Sequence, residues 1–391
     1  MQTINTAVIG IGNIGSAHVK CLLEGRVPNL RLTAVCDSDR RKTTAFLSLH
    51  PNILTFTDYQ DLLRSSCASA VIIAVTHPMH AEIAQAALSA GYHVQLEKPV
   101  DVCVSKALQL NSVAAKCDRV FSIMFNQRTN PLFQRARQIV RSGDLGDLQR
   151  TIWIVTNWYR TQHYYDSGEW RATWRGEGGG VLLNQAPHNL DIWQWICGMP
   201  VSVRASCEYG KYHRIEVEDE ATIFTKYENG ATGVFITSTG EYPGTNRLEI
   251  VGTRGKIVLE SGMLKWWQSD TDVNDVIQNS NISSPESPLQ LFELRQNTPD
   301  HAHQGILQNF ANAITQGEPL IAPGEEGIHE LMLSNAAYLS SAQGGAPVSL
   351  PVDADAFDAF LSARVKGSSL HCMADGEYAA SDYQKRWQVT W

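Results

Sequence analysis

"TAVIGIGNIGSAHVKCLLEG", residues 6–25, decides how the first third of the chain folds. An apolar run ends at Gly10, and the residues after Gly15 repeat as on one face of a helix. Between them lies Gly10-Ile11-Gly12-Asn13-Ile14-Gly15. A bare G-x-G-x-x-G says little, but between strand and helix it predicts a loop that cradles a dinucleotide pyrophosphate. Gly10 permits the tight turn, Gly12 lets backbone approach the phosphates, and Gly15 lets helix and strand pack closely. Asn13 and Ile14 complete the loop at the helix N-terminus, where N–H groups favour an anion. Asp37 ends the next apolar run, "LRLTAVCD", where a carboxylate accepts hydrogen bonds from both adenosine ribose hydroxyls. A 2′-phosphate there would face that carboxylate, so NAD is favoured over NADP, although Arg40 and Arg41 follow closely.

Working outward, "ASAVIIAVT", "HVQLEKP" and "VFSIMFN" read as further strands, separated by amphipathic helices such as "MHAEIAQAALSAG" and "SKALQLNSVAAKC". Near-continuously apolar strands alternating with helices predict an α/β fold: a doubly wound parallel sheet covered on both faces. From about residue 150 the pattern changes. "LQRTIWIVTNWY", "VSVRASCEYG", "NRLEIVGTRGKIVLE" and "MLKWWQS" read as strands joined by hairpin turns such as Glu228-Asn229-Gly230. Helices such as "FQRARQIVRSG" and "GILQNFANAITQG" flank them, so the second domain is α+β with a mostly antiparallel sheet. The expected division is 1–127 for the nucleotide-binding domain, 128–364 for a substrate and oligomerisation domain, and 365–391 for an unassigned tail.

The chain has 391 residues and a formal charge of −8 with both signs interspersed, which argues against a nucleic-acid binder. No apolar run approaches the roughly 20 residues of a membrane span. The N-terminus has neither a basic leader nor an A-x-A-like cleavage site, so no secretory signal is expected. Eight scattered cysteines without a C-x-x-C pair read as reduced thiols of a cytoplasmic protein. His301-x-His303 is the single metal-like spacing, and no metal site is expected.

Two stretches carry the chemistry. "HVQLEKPV", 93–100, puts Lys98 between Glu97 and Pro99 at the carboxyl end of a strand, where open α/β sheets bind ligands. Beside a bound NAD⁺ a lysine there can take part in proton transfer. "GGGVLLNQAPHNLDIWQW", 178–195, places Asn184, His188 and Asp191 on one face if the whole stretch is helical. The three glycines are expected to let the chain approach the cofactor.

These motifs, with "VIGIGNIGSAH", "VTHPMHAEIA", "MFNQRTNP" and "WRATWRGEGGGVLLNQAPHNLDIWQWICGMP" in order, resemble the Gfo/Idh/MocA family, the glucose–fructose oxidoreductase and inositol dehydrogenase-like enzymes. The resemblance covers about residues 1–350. It implies an N-terminal Rossmann domain, a C-terminal domain with a large open antiparallel sheet, bound NAD(P), and hydride transfer at a sugar or cyclitol carbinol. It also implies a cis bond before Pro99 and a homodimer or homotetramer. It places Thr76, Pro78 and His80, together with Glu97 and Lys98, near the nicotinamide, and makes Trp170 and Arg171 cofactor contacts. Arg128 falls in the loop beside the substrate, and His188 on the catalytic histidine. Asn184 stands where many relatives have Asp. An amide cannot take a proton, but it can orient a hydroxyl.

"NWYRTQHYYDSGEWRATWR", 157–175, offers Tyr159, Arg160, His163 and Tyr164 to a sugar's C–H faces and hydroxyls, and His303 is a further candidate. Three readings compete. The first is an NAD-dependent dehydrogenase oxidising a secondary hydroxyl, with Lys98 and His188 handling the proton. The second is a redox-neutral glycosidase or epimerase-like enzyme oxidising C3 transiently. The third is an NAD-sensing binding protein without turnover.

Overall fold

A computed structural model describes residues 3–168, 170–297 and 300–369. They form two compact units. The first runs to Thr129 and takes in Gly176–Gly178 and His301–Leu331. The second holds Asn130–Arg175, Gly179–Asp300 and the chain from Met332. A single cut along the sequence therefore cannot describe the division, because the chain returns to the first unit twice.

The first unit is built on β1 (Ile4–Ile9), β2 (Leu30–Cys36), β3 (Leu54–Phe56), β4 (Ala70–Ile73), β5 (His93–Leu96) and β6 (Phe121–Ile123). All pair in parallel in the order β3-β2-β1-β4-β5-β6. Every residue of β4 is fully buried, which is why its sequence is an unbroken apolar run. The short edge strand β3 and the helix Tyr59–Arg64 were not expected, since a three-residue strand with one exposed and two half-exposed positions leaves little pattern. Between β1 and β4 the strand order reverses, so a crevice opens beyond their carboxyl ends.

The second unit contains β7 (Leu148–Val155), β8 (Ser202–Tyr209), β9 (Glu218–Lys226), β10 (Thr232–Ser238), β11 (Asn246–Gly252), β12 (Gly255–Glu260), β13 (Met263–Gln268), β14 (Gln290–Arg295) and β15 (Val348–Ser349). Their order is β14-β13-β12-β11-β7-β10-β9-β8-β15, antiparallel except where β7 meets β10. In β9, Ala221 and Ile223 point inward while Phe224 and Lys226 are exposed, the alternation of a sheet buried on one face. The helix Pro187–Cys197 packs on the inner face. Its Trp193 stacks on Phe235 at 5.5 Å and donates to Thr151 Oγ1 at 3.0 Å. Gly233 makes room for it, since a Cβ there would lie 2.7 Å from the indole.

The helix Ala354–Lys366 carries the chain past the expected boundary at 364. The tail from residue 370, with Cys372, lies outside the described residues. None of the seven described cysteines is in a disulfide, and burial pushes Cys36 and Cys197 up to about 12. Among the described residues no helix is long and apolar enough to cross a membrane, and no group of three or more potential ligands could hold a metal ion.

Candidate active site

The glycine loop leaves β1 with Gly10 at φ +89°, where a Cβ would lie 2.4 Å from the Ala74 carbonyl oxygen. A Cβ on Gly15 would lie 1.8 Å from the Gly10 oxygen, so helix and loop close only on glycine. Gly12 differs: a Cβ there would meet no protein atom within 4 Å. That open space sits at the start of the helix Asn13–Leu23, whose first N–H groups favour an anion, and it fits a pyrophosphate. Asp37 borders the loop. Its carboxylate accepts from the N–H of Ile11 at 3.0 Å and of Asp39 at 2.9 Å, and pairs with Lys42 at 3.1 Å. Arg41 is engaged by Asp39 through two bonds, at 3.0 and 2.9 Å. The residues present therefore fit NAD: a glycine cradle with a fixed carboxylate beside it.

At the end of β5 the peptide Lys98-Pro99 is cis. His80 directs Nδ1 to the Pro99 carbonyl at 2.6 Å and Nε2 to the Val75 carbonyl at 3.1 Å. Its ring thus ties the Thr76–Pro78 turn to the Lys98-Pro99 peptide instead of offering a nitrogen to a ligand. Burial lowers its pKa, so only one of the two contacts is donated at a time. Behind Lys98, buried Glu97 bonds His18 at 2.8 Å and accepts from the Lys98 N–H at 3.3 Å. Burial alone would raise this carboxyl, but the His18 bond and the nearby His303 and Lys98 bring it down to about 2. His303 lies 5.9 Å from the His18 ring, with Asn126 Nδ2 at 3.4 Å from its Nδ1. Desolvation pushes its pKa down to about 4, so the imidazole is neutral at pH 7. Lys98 and His303 are the half-exposed members of this group, and Lys98 is the one at the strand end.

Arg128 does not face a pocket. Its guanidinium is fully buried, paired with Glu326 and 3.3 Å from the Ile321 carbonyl. A buried guanidinium needs such partners, and here they tie the Asn126–Thr129 turn to the 321–326 segment.

In the second unit the helix begins at Pro187, so Asn184 lies in the preceding turn and not on the helix. The proline supplies no N–H, so it suits the first turn of a helix and cannot close a helical bond back onto the Leu183 carbonyl. The Asn184 N–H closes the turn on the Gly180 carbonyl at 2.9 Å. Between residues 181 and 194, Asn184 alone is half-exposed. His188 and Asp191 follow three apart on the helix, and Asp191 accepts from Gln194 at 3.0 Å. Tyr164 links this turn to the Trp170-Arg171 pair: its hydroxyl accepts from Arg171 at 2.8 Å and from Gln185 at 3.2 Å. The Arg171 guanidinium lies over the rings of Tyr164 and Trp170, 4.5 Å from each centroid. Arg160 reaches the Tyr164 ring from 5.1 Å, while Tyr159 packs against Tyr242 and, like His163, is exposed.

The three glycines also needed a different explanation. A Cβ on Gly178 would lie 2.4 Å from Val102, on Gly179 2.2 Å from the Tyr338 hydroxyl, and on Gly180 1.9 Å from the Glu218 carbonyl. They make room for protein atoms. His18, Gln185 and Glu218 were missed by reading the sequence. Only His18 left a signal, as a polar residue three after Gly15 on the inward face of its helix.

Comparison with known proteins now decides the family. Residues 4–125 match the oxidoreductase family with an NAD-binding Rossmann fold, and residues 133–258 match the GFO/IDH/MocA C-terminal domain. The chain belongs to the Gfo/Idh/MocA family. It is an NAD-binding oxidoreductase. The uncharacterized oxidoreductase YrbE of Bacillus subtilis is 25% identical over 89% of this chain and 97% of its own length. An inositol 2-dehydrogenase of Corynebacterium glutamicum is 22% identical over 90% of this chain and 97% of that protein. The WlbA dehydrogenase of Chromobacterium violaceum, solved with NADH and UDP-GlcNAcA, superposes with a TM-score of 0.76 at 26% identity, covering 90% of this chain and 97% of that one.

Proposed function

We propose that this protein oxidises a secondary hydroxyl of a sugar, cyclitol or sugar derivative to a ketone, with NAD⁺ preferred over NADP⁺. The observation that carries this reading is the half-exposed Asn184 in an otherwise buried turn, immediately before a helix bearing His188. An amide before an imidazole suits a neutral polyol: the amide orients a hydroxyl, and the imidazole accepts its proton. Bound NAD⁺ supplies the hydride acceptor. Lys98 polarises the reacting oxygen, while Glu97 and His18 hold the peptide that bears it. Asp37 accepts the ribose hydroxyls, which disfavours a 2′-phosphate. Arg171 and Tyr164 brace the turn from the other side, leaving Arg160 to reach substituents of the substrate. Inositol and sugar-derivative dehydrogenases among the relatives support this class.

The exposed face of the second sheet, with Phe224 paired to Val234, is the surface we assign to a homodimer or homotetramer. Light scattering on Phe224→Glu tests it, with a smaller particle expected.

The deciding experiment follows NADH absorbance with NAD⁺ across a panel of sugars, cyclitols, sugar acids and aryl glycosides, with sugar products measured in parallel. NADH rising in proportion to a keto product is the expected result. A glycoside consumed at flat absorbance would replace this reading with redox-neutral chemistry. Binding of NAD without any turnover would leave a sensor.

A further inference from the structure

We propose that the dipeptide Glu218-Asp219 at the head of β9 is the positioning pair of the second unit, setting the turn before His188 through Glu218 and the segment bearing Arg160 through Asp219. Successive strand residues leave on opposite sides, so one dipeptide reaches two separate segments. This inference rests on the proposed function for its relevance to catalysis, though not for its geometry.

Glu218 is fully buried. Its carboxyl accepts from the N–H of Gly180 at 2.9 Å, the N–H of Leu182 at 2.9 Å and the Tyr338 hydroxyl at 2.7 Å. Its main-chain oxygen takes the Val181 N–H at 3.0 Å. Three consecutive amides of the turn that ends in Asn184 thus close on one residue. Asp219, equally buried, accepts from the N–H groups of Lys211, Tyr212 and His213 at 3.0, 2.8 and 3.0 Å, and lies 3.0 Å from a ring nitrogen of His213. The other ring nitrogen of His213 lies 3.0 Å from the Arg160 carbonyl oxygen, so the ring bridges the two acceptors, donating to one of them when neutral and to both when protonated. The main-chain oxygen of Asp219 accepts from Thr239, whose own carbonyl accepts the Arg160 N–H at 2.9 Å. Both routes from Asp219 end on Arg160.

The two carboxyls can be told apart by titration. The titratable groups facing Glu218 are Tyr338 from the helix Gly327–Ala342 and Cys207 and Tyr209 from β8, all acids that are neutral at pH 7. Burial without a cation pushes Glu218 up to about 7 despite its donors. Opening the turn hydrates this carboxyl and returns it toward 4.5, so opening becomes easier as pH rises between those two values and levels off above the higher one.

Hydrogen exchange on the full chain, corrected for intrinsic base catalysis, tests this without cofactor or substrate. Protection of the Gly180 and Leu182 amides should fall as pH rises from 5 to 7 and then level off. Glu218→Gln should abolish the pH dependence. Tyr338→Phe, which removes one donor and keeps the ring, should extend the fall to higher pH. Asp219→Asn should spare these amides and deprotect Arg160. With a substrate from the panel, Glu218→Gln should lower kcat about tenfold at nearly unchanged KM, and Asp219→Asn should raise KM about tenfold at nearly unchanged kcat. Flat wild-type protection, or two variants that loosen the same amides, would overturn the proposal. A panel without turnover would refute the oxidation reading instead, and the exchange pattern would still decide the positioning.

Discussion

Two glycine clusters precede two helices in this molecule, and they are there for opposite reasons. At Gly10–Gly15 the outer glycines fit against neighbouring backbone, but the central Gly12 borders space that no protein atom fills. At Gly178–Gly180 every missing side chain is replaced by a protein atom within 2.4 Å: Val102, the Tyr338 hydroxyl and the Glu218 carbonyl in turn. The first cluster leaves room for a ligand. The second lets a buried turn close on its own scaffold. The same residue type at the same place before a helix therefore does not announce the same function, and what the missing Cβ would touch is the test.

The strongest way to break the comparison is Gly180→Ala. A methyl against a main-chain carbonyl cannot be relieved by a rotamer change, so a loss of about 4 kcal/mol or failure to fold is expected. Chemical denaturation measures it, and a variant as stable as the parent would mean that the turn has slack. Lys98→Ala touches neither cluster. Turnover should drop roughly a hundredfold or more while NAD binding, followed by quenching of protein fluorescence, stays near the parent value. Retained turnover would remove Lys98 from the mechanism. Gly12→Ala reverses the outcome for Gly180: stability stays within about 0.5 kcal/mol while NAD affinity weakens about tenfold. A destabilised protein with unchanged affinity would erase the distinction between the clusters. Asp37→Ala sharpens the first cluster further. The ratio of NAD to NADP affinity should fall several-fold, and an unchanged ratio would place ribose recognition elsewhere.

Much of the first unit was legible because its signals are local. β1, the glycine loop and the helix Asn13–Leu23 lie within twenty-five residues, and each carries its own period or punctuation. The strands of the second unit were visible through alternation and turns, apart from β14, which is largely exposed, and β15, which has only two residues. The helical reading of 178–195 failed at Pro187, where local chemistry ends the turn, although Asn184 and His188 fall at helical spacing. Arg128 illustrates the other kind of failure. A loop arginine near a motif reads as a ligand contact, and nothing nearby in sequence reveals Glu326.

The sequence by itself determined the parallel α/β order, the nucleotide loop with Asp37, the placement of Lys98 at a strand end, and the family. Each depends on residues close together along the chain, where spacing and propensity act directly. Only the tertiary structure decided that His18 meets Glu97 across 79 positions, that Gly180 closes on Glu218 across 38, and that Arg128 is spent in the interior. Those pairings follow from burial. A polar group withdrawn from water must find a partner wherever the folded chain supplies one, and sequence distance has no bearing on that requirement.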